Sequence, residues 1–291
     1  MNSLKNILIT GANGQLGSEL RIALDNISGF NLFFTDIDTL DITDETEVNN
    51  FIKDNKIHII INCAAFTAVD KAEEAQDLCH AINADAVEIL GSAAAKYNAR
   101  IVHVSTDYVF NGEACTPYTE DQPTQPVSVY GKTKLEGEQR LLNAAPQAII
   151  IRTAWLYSPH GKNFVKTMIE LGKSRTELNV VFDQVGSPTY ALDLANAIAA
   201  IVQSPWIPGI YHFSNEGAIS WYDFTKAIHR IAGITQCNVL PCRSAEFFTL
   251  AKRPPYSVFD KSKIKNTFKL EIPYWEDSLR HCINRLENII Q

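Results

Sequence analysis

Glycine falls at every third position in Gly11, Gly14 and Gly17, directly after the apolar run Leu4 to Ile9. Phosphate can be cradled by a strand-to-helix turn only where side chains are absent. The helix N-terminal N–H groups are then free to meet the anion. In such a turn Gly11 makes the bend, Gly14 admits a pyrophosphate and Gly17 lets the helix lie close to the sheet. The spacing is G-x-x-G-x-x-G, wider at its start than G-x-G-x-x-G. Its context is the one such a motif requires: an amphipathic stretch (Leu16, Leu20, Ala23, Leu24) follows, and Asp36 closes the next apolar run, Phe30 to Thr35.

Further along the chain stand Ser105-Thr106-Asp107 and the pair Tyr130 and Lys134. At spacing i, i+4 on a helix a phenol and an ammonium share one face, so the cation is expected to lower a phenol pKa of ~10. Reducing a carbonyl requires a hydride donor, a proton donor, and a group that steadies the oxygen as charge develops. Tyr130 with Lys134 can give the proton, and the Thr106 hydroxyl, at a strand's carboxyl end, can bond the same oxygen. Together with the glycine turn these residues predict a nicotinamide enzyme acting on a ketone. A second pair at the same spacing, Tyr222 and Lys226, reads as an ordinary helical contact: Ser220 has the character of an N-cap, and Ile228 and Ile231 continue an amphipathic helix.

Short β-branched runs at Ile7–Thr10, Leu32–Asp36, Ile57–Asn62, Arg100–Ser105 and Ala148–Arg152 alternate with stretches of helical period. Near-continuous apolar character marks buried parallel strands. The pattern predicts an α/β fold, a doubly wound, Rossmann-like parallel sheet. After Thr153 prolines and aromatics become frequent, which predicts a second, smaller α/β substrate domain. A helix at Tyr190–Gln203 and a strand at Gly209–Phe213 are expected to return to the main sheet. The division is therefore interleaved: residues 1–152 with about 190–214 bind the dinucleotide, and about 153–189 with 215–291 bind substrate.

Twenty per cent charged and 46% hydrophobic residues describe an ordinary globular chain. A net charge of −7 without a basic stripe argues against nucleic acid as a partner. No run is long enough to span a bilayer and no signal peptide is legible, so a cytoplasmic location is expected and membrane is not. The six cysteines form no C-x-x-C pair and read as free thiols.

The chain resembles the extended short-chain dehydrogenase/reductases, and within them the dTDP-4-dehydrorhamnose reductase family. The likeness is carried by residues 11–17 (GANGQLG), 62–73 (NCAAFTAVDKAE), 105–110 (STDYVF), 129–134 (VYGKTK), 152–157 (RTAWLY), 163–168 (NFVKTM) and 183–189 (DQVGSPT), so it runs nearly end to end. The resemblance implies NAD(P)H-dependent reduction of the C4 ketone of dTDP-4-dehydro-β-L-rhamnose to dTDP-β-L-rhamnose. Another nucleotide-sugar reductase or epimerase, or a non-catalytic regulatory subunit of the same fold, is the alternative. By the same resemblance Tyr130 donates the proton, Lys134 holds the nicotinamide ribose, and Thr106 and Asp107 contact substrate. Gly14, Gln15 and Leu16 touch the pyrophosphate, Asp36 the adenosine ribose, Asp41 and Ile42 the adenine end, and Ala65, Phe66 and Thr67 the middle of the cofactor. Trp155 matches a sugar-nucleotide contact, and Arg253 offers a guanidinium fork to a diphosphate. NADPH and NADH both suit the family; Asp36 leans towards NADH, because a carboxylate repels a 2′-phosphate. Some relatives hold Mg2+ through glutamates at a dimer interface. Glu19 matches one such position, but Thr189–Asp193 offers no second glutamate, so no metal is expected here. A dTDP-sugar is the expected partner, and a homodimer the assembly the resemblance allows.

Overall fold

Six strands, apolar along nearly their whole length, assemble into one parallel sheet: β1 (Lys5–Thr10), β2 (Phe30–Phe34), β3 (Ile57–Asn62), β4 (Arg100–Thr106), β5 (Ile149–Thr153) and β6 (Gly209–Phe213). The structure, a computed structural model, describes residues 4–25 and 27–290. Strand order across the sheet is β6-β5-β4-β3-β1-β2. The chain steps from β1 outward to β2 and then jumps back over β1 to β3, so the order reverses between β1 and β3. Open α/β sheets bind ligands outside the carboxyl ends of the strands at such a reversal.

Alternation along each strand sends side chains to two separate cores. Ile7, Ile9, Ile59, Ile61, Ile149 and Ile151 pack against α1 (Gln15–Asp25) and, later in the chain, against Ala191–Gln203. On the opposite face Leu8, Ile60, Ile101 and Ile150 meet α2 (Glu45–Asp54), α3 (Ala86–Lys96) and α4 (Val129–Ala144). With α5 (Ala191–Gln203) in place, helices cover both faces, as the doubly wound reading expects. Strand β6 pairs with β5 in register from Gly209↔Ile149 to Phe213↔Thr153, so this late segment does return to the main sheet.

The remaining segments build a third apolar cluster around Tyr157, Met168, Tyr190, Phe224, Trp275 and Leu279. Two parallel pairs, Leu156–Tyr157 with Thr189–Tyr190 and Glu177–Val181 with Asn238–Cys242, and one antiparallel pair, Val185–Gly186 with Ile219–Ser220, frame it. The helix Trp221–Ile231 starts at Ser220, whose hydroxyl accepts from Asp223 N while the Asp223 carboxylate accepts from Ser220 N, a reciprocal capping box. All six cysteines are free thiols. Among the described residues no helix is long and apolar enough to cross a membrane.

Candidate functional site

The turn after β1 places the glycines where the order of strands reverses. Gly11 has φ +63°, and a Cβ there would stand 2.7 Å from the Ala64 backbone N, so only glycine lets the turn after β1 lie against the chain leaving β3. A Cβ on Gly17 would meet Ala12 Cα at 2.5 Å, which ties α1 to the turn, while Gly14 opens onto a cavity. The first helical bond runs from Ser18 N to Gly14 O. Among the described residues the N–H groups of Gln15, Leu16 and Gly17 find no acceptor in the chain and line that cavity. Free N–H groups, a helix N-terminus and a turn without side chains fit a pyrophosphate.

The cavity measures about 910 Å³ and continues along the carboxyl ends of the strands. Asp36, Asp41 and Ile42 line one end, Ala65 and Thr67 the middle, and Thr106, Asp107, Tyr130, Lys134 and Trp155 the other. Asp36 already accepts from Asn13 N and Ile37 N, at 2.9 Å each, so its carboxylate is fixed at the rim. Asn163 Nδ2 donates to Gln15 Oε1 at 3.0 Å, joining the late segments to the glycine turn across the cavity.

Helix α4 carries the phenol and the ammonium on one face, as its spacing requires. Ser128 caps it by accepting from Gly131 N at 3.1 Å. Tyr130 is 8% and Lys134 1% exposed. Burial pushes the Tyr130 phenol well above its ordinary range, with a hydrogen bond from the Thr106 side opposing it. This corrects the expectation that Lys134 lowers that pKa. Lys134 Nζ is turned to the sheet instead, donating to Val104 O at 2.8 Å and facing His103 Nε2 at 3.2 Å. Burial brings Lys134 down to about 8, against the pull of Glu138, Cys79 and Cys63.

Thr106 Oγ1 donates to Asp107 Oδ1 at 2.9 Å and accepts from Tyr108 N at 3.2 Å. Burial raises the Asp107 carboxyl to about 6, against hydrogen bonds from the Thr106 and Ser257 side chains. The strand end that carries these groups is anchored by an enclosed ion pair. Arg152 Nη2 meets Glu138 Oε2 at 2.7 Å, with side chains 3% and 2% exposed, and Ser105 Oγ donates to Glu138 Oε1.

Trp155 lines the cavity at φ +49°, a backbone state rare for a bulky residue, and its indole stacks on Trp221. Two expected contacts lie elsewhere. Phe66 packs beside Ala72, Cys79 and Tyr130 rather than lining the cavity, because Asn83 clamps its backbone: Phe66 N donates to Asn83 Oδ1 and Asn83 Nδ2 to Phe66 O. Arg253 stands outside the lining, its Nη2 2.7 Å from Asp70 Oδ2 and its Nη1 donating to Tyr108, a cavity residue. Glu19 does not fit a metal site. It is fully buried, and both its oxygens face Arg285 Nη1, at 3.0 and 2.8 Å, so a guanidinium already supplies the countercharge. Tyr222 and Lys226 sit on Trp221–Ile231, away from this cavity.

Three residues that the sequence reading passed over also shape the site: Asn62, His103 and Trp221. The first two had a signal, since each is a polar residue interrupting an apolar strand. Trp221 had none, because its partner lies 66 positions away in sequence.

A parallel sheet with a glycine turn at its reversal point and a Tyr–Lys pair on the flanking helix defines a dinucleotide-binding oxidoreductase of the short-chain dehydrogenase/reductase type. Residues 5–288 match the family described as RmlD substrate binding domain, and the chain belongs to that family. It is 40% identical to a dTDP-4-dehydrorhamnose reductase of Aggregatibacter actinomycetemcomitans over 94% of this chain and 97% of that protein. Among solved structures it is similar to a dTDP-4-dehydrorhamnose reductase of Clostridium acetobutylicum, with 46% identity, TM-score 0.93, and coverage of 97% of this chain and 99% of the other. The Bacillus anthracis dTDP-4-dehydrorhamnose reductase, solved in complex with NADP, is 39% identical with TM-score 0.92 and the same coverage.

Proposed function

We propose that the protein reduces the C4 ketone of dTDP-4-dehydro-β-L-rhamnose to dTDP-β-L-rhamnose, using NADPH or NADH. One observation carries the reading: the free N–H groups of the glycine turn and the buried Thr106, Tyr130 and Lys134 line a single cavity. Family membership narrows the substrate to a dTDP-sugar.

The glycine turn, Gln15 and Leu16 hold the pyrophosphate, Asp36, Asp41 and Ile42 the adenosine end, and Lys134 the nicotinamide ribose. When bound, the nicotinamide supplies the hydride. Tyr130 gives its phenol proton to the C4 oxygen as negative charge develops there, and Thr106 steadies that oxygen by turning its hydroxyl proton from Asp107 to it. A phenol kept neutral by burial is a donor through the whole neutral range. Trp155 and Asp107 orient the sugar, and Arg253 exchanges Asp70 for the diphosphate. In this reading residues 1–152 with about 190–214 carry the cofactor, and about 153–189 with 215–291 carry the sugar nucleotide.

The test is an assay of the purified chain with NADPH and with NADH against a panel of nucleotide 4-keto sugars, with the product identified by NMR. Cofactor oxidation coupled to dTDP-β-L-rhamnose formation is expected. Turnover of another sugar in its place, or none of any, would reject the assignment.

A further inference from the structure

A row of buried polar side chains crosses the sheet beneath the site and ends on Lys134. Thr10, Asn62 and His103 are register partners on β1, β3 and β4, and all three are enclosed, at 1%, 0% and 0% exposure. Thr10 and Asn62 end their strands and His103 sits midway along β4, all three on the face that α4 covers. Thr10 Oγ1 donates to Asn62 Oδ1 at 2.7 Å, Asn62 Nδ2 meets His103 Nδ1 at 3.0 Å, and His103 Nε2 meets Lys134 Nζ at 3.2 Å.

The direction of each bond follows from one unambiguous donor. Ala64 N, a backbone N–H, bonds the same Asn62 atom at 3.1 Å, so that atom is the amide oxygen and the Asn62 NH2 faces His103. His103 Nδ1 must then accept. Burial holds the imidazole neutral, so its one proton sits on Nε2, aimed at Lys134. An ammonium there would set donor against donor. An amine accepts that Nε2–H through its lone pair while donating to Val104 O.

We propose that His103, locked in its Nε2–H tautomer by Asn62, is the positioning residue that sets the protonation of Lys134. The inference rests on the reductase reading for its consequence, although not for its geometry. After Tyr130 has passed its proton to the new hydroxyl, the phenolate recovers one from the Lys134 ammonium. The resulting amine is received by the His103 Nε2–H and is later reprotonated from solvent. His103 itself gains and loses nothing.

The other titratable groups acting on Lys134 are Cys63 after β3, Cys79 on Gln76–His80 and Glu138 on α4, with Tyr130 one helical turn before it. Glu138 is neutralised by Arg152, and burial keeps the Cys63 thiol protonated, its pKa raised to about 12. Burial already brings Lys134 down to about 8, which places its titration where a tautomer lock can be read.

The experiment is NMR on the full chain without substrate, together with the pH profile of turnover. In 15N-histidine protein His103 is expected with Nε2 protonated and Nδ1 bare. In His103→Gln the side-chain oxygen can accept from the ammonium, and in Asn62→Asp the carboxylate captures Nδ1–H and bares Nε2. In both, the Lys134 13Cε titration is expected to move up by about one pH unit, and the alkaline limb of kcat to follow it. A native Nδ1–H tautomer, or a Lys134 titration unmoved in either variant that folds, overturns the proposal. Asn62→Asp preserves size and the bonds to Thr10 and Ala64, so it remains readable where His103→Gln fails to fold. A shifted lysine in a chain that reduces no nucleotide sugar would remove the proposed activity and leave this inference standing.

Discussion

The indole of Trp155 lies face to face with that of Trp221, 3.5 Å between ring centroids and 11° apart, with the Trp155 backbone at φ +49°. A left-handed conformation costs a bulky residue roughly 1–3 kcal/mol and persists only where its surroundings over-determine it. The stack does so, and it links the strand-end segment after β5 to the helix Trp221–Ile231. Trp221→Ala should lower stability by about 2 kcal/mol from lost stacking and packing. Urea unfolding measures that loss, and the near-UV circular dichroism of the paired indoles should vanish with it. In turnover KM for the dTDP-sugar should rise more than kcat falls. An unchanged KM would separate Trp155 from the substrate.

Tyr130→Phe removes the proton donor and little else, since the ring remains beside Tyr108, 5.3 Å between centroids. Turnover should fall about a hundredfold to ten-thousandfold. Binding of NADPH, followed by fluorescence, should be nearly unaltered. A variant with full activity would take the acid role away from this phenol.

Asp107 makes the stability of the fold depend on pH. Its folded pKa, about 6, lies above the ordinary value of 3.8, so the folded state holds the proton more tightly. Its contribution to stability is complete below about pH 4 and lost as pH rises through 6, where a buried charge must form. Asp107→Asn should therefore stabilise the protein at pH 8, by at most roughly 3 kcal/mol, with the gain disappearing near pH 4. Thermal melts of the two proteins across that range check it. A gain that grows towards acid pH would show the sign to be wrong.

Arg285 and Glu19 form a pair in which the carboxylate is fully buried and the guanidinium keeps some contact with solvent. Arg285→Ala strands that carboxylate and should cost about 3 kcal/mol in urea unfolding. Because the guanidinium occupies the countercharge position, EDTA should leave both activity and melting temperature unchanged. Loss of activity on chelation, restored by Mg2+, would mean that a metal reaches this region.

Much of the fold was written into local pattern. Apolar β-branched runs separated by helical periods suffice for a parallel sheet covered on both faces, because only that layering buries such strands. The glycine turn was legible for a similar reason: no other residue tolerates φ +63° with the Ala64 backbone at 2.7 Å. The shared face of Tyr130 and Lys134 followed from helical geometry alone.

What those side chains touch was a matter for tertiary packing. Spacing brought Lys134 towards Tyr130, but the β4 backbone and His103 meet its amino group, and burial drives the phenol up rather than down. Phe66 was turned from the cavity by Asn83, Arg253 was claimed by Asp70, and Glu19 by Arg285. Each of these partners is distant in the chain. Periodicity records which face of an element is buried, whereas the desolvation and pairing of a charge depend on the groups that other elements bring to it.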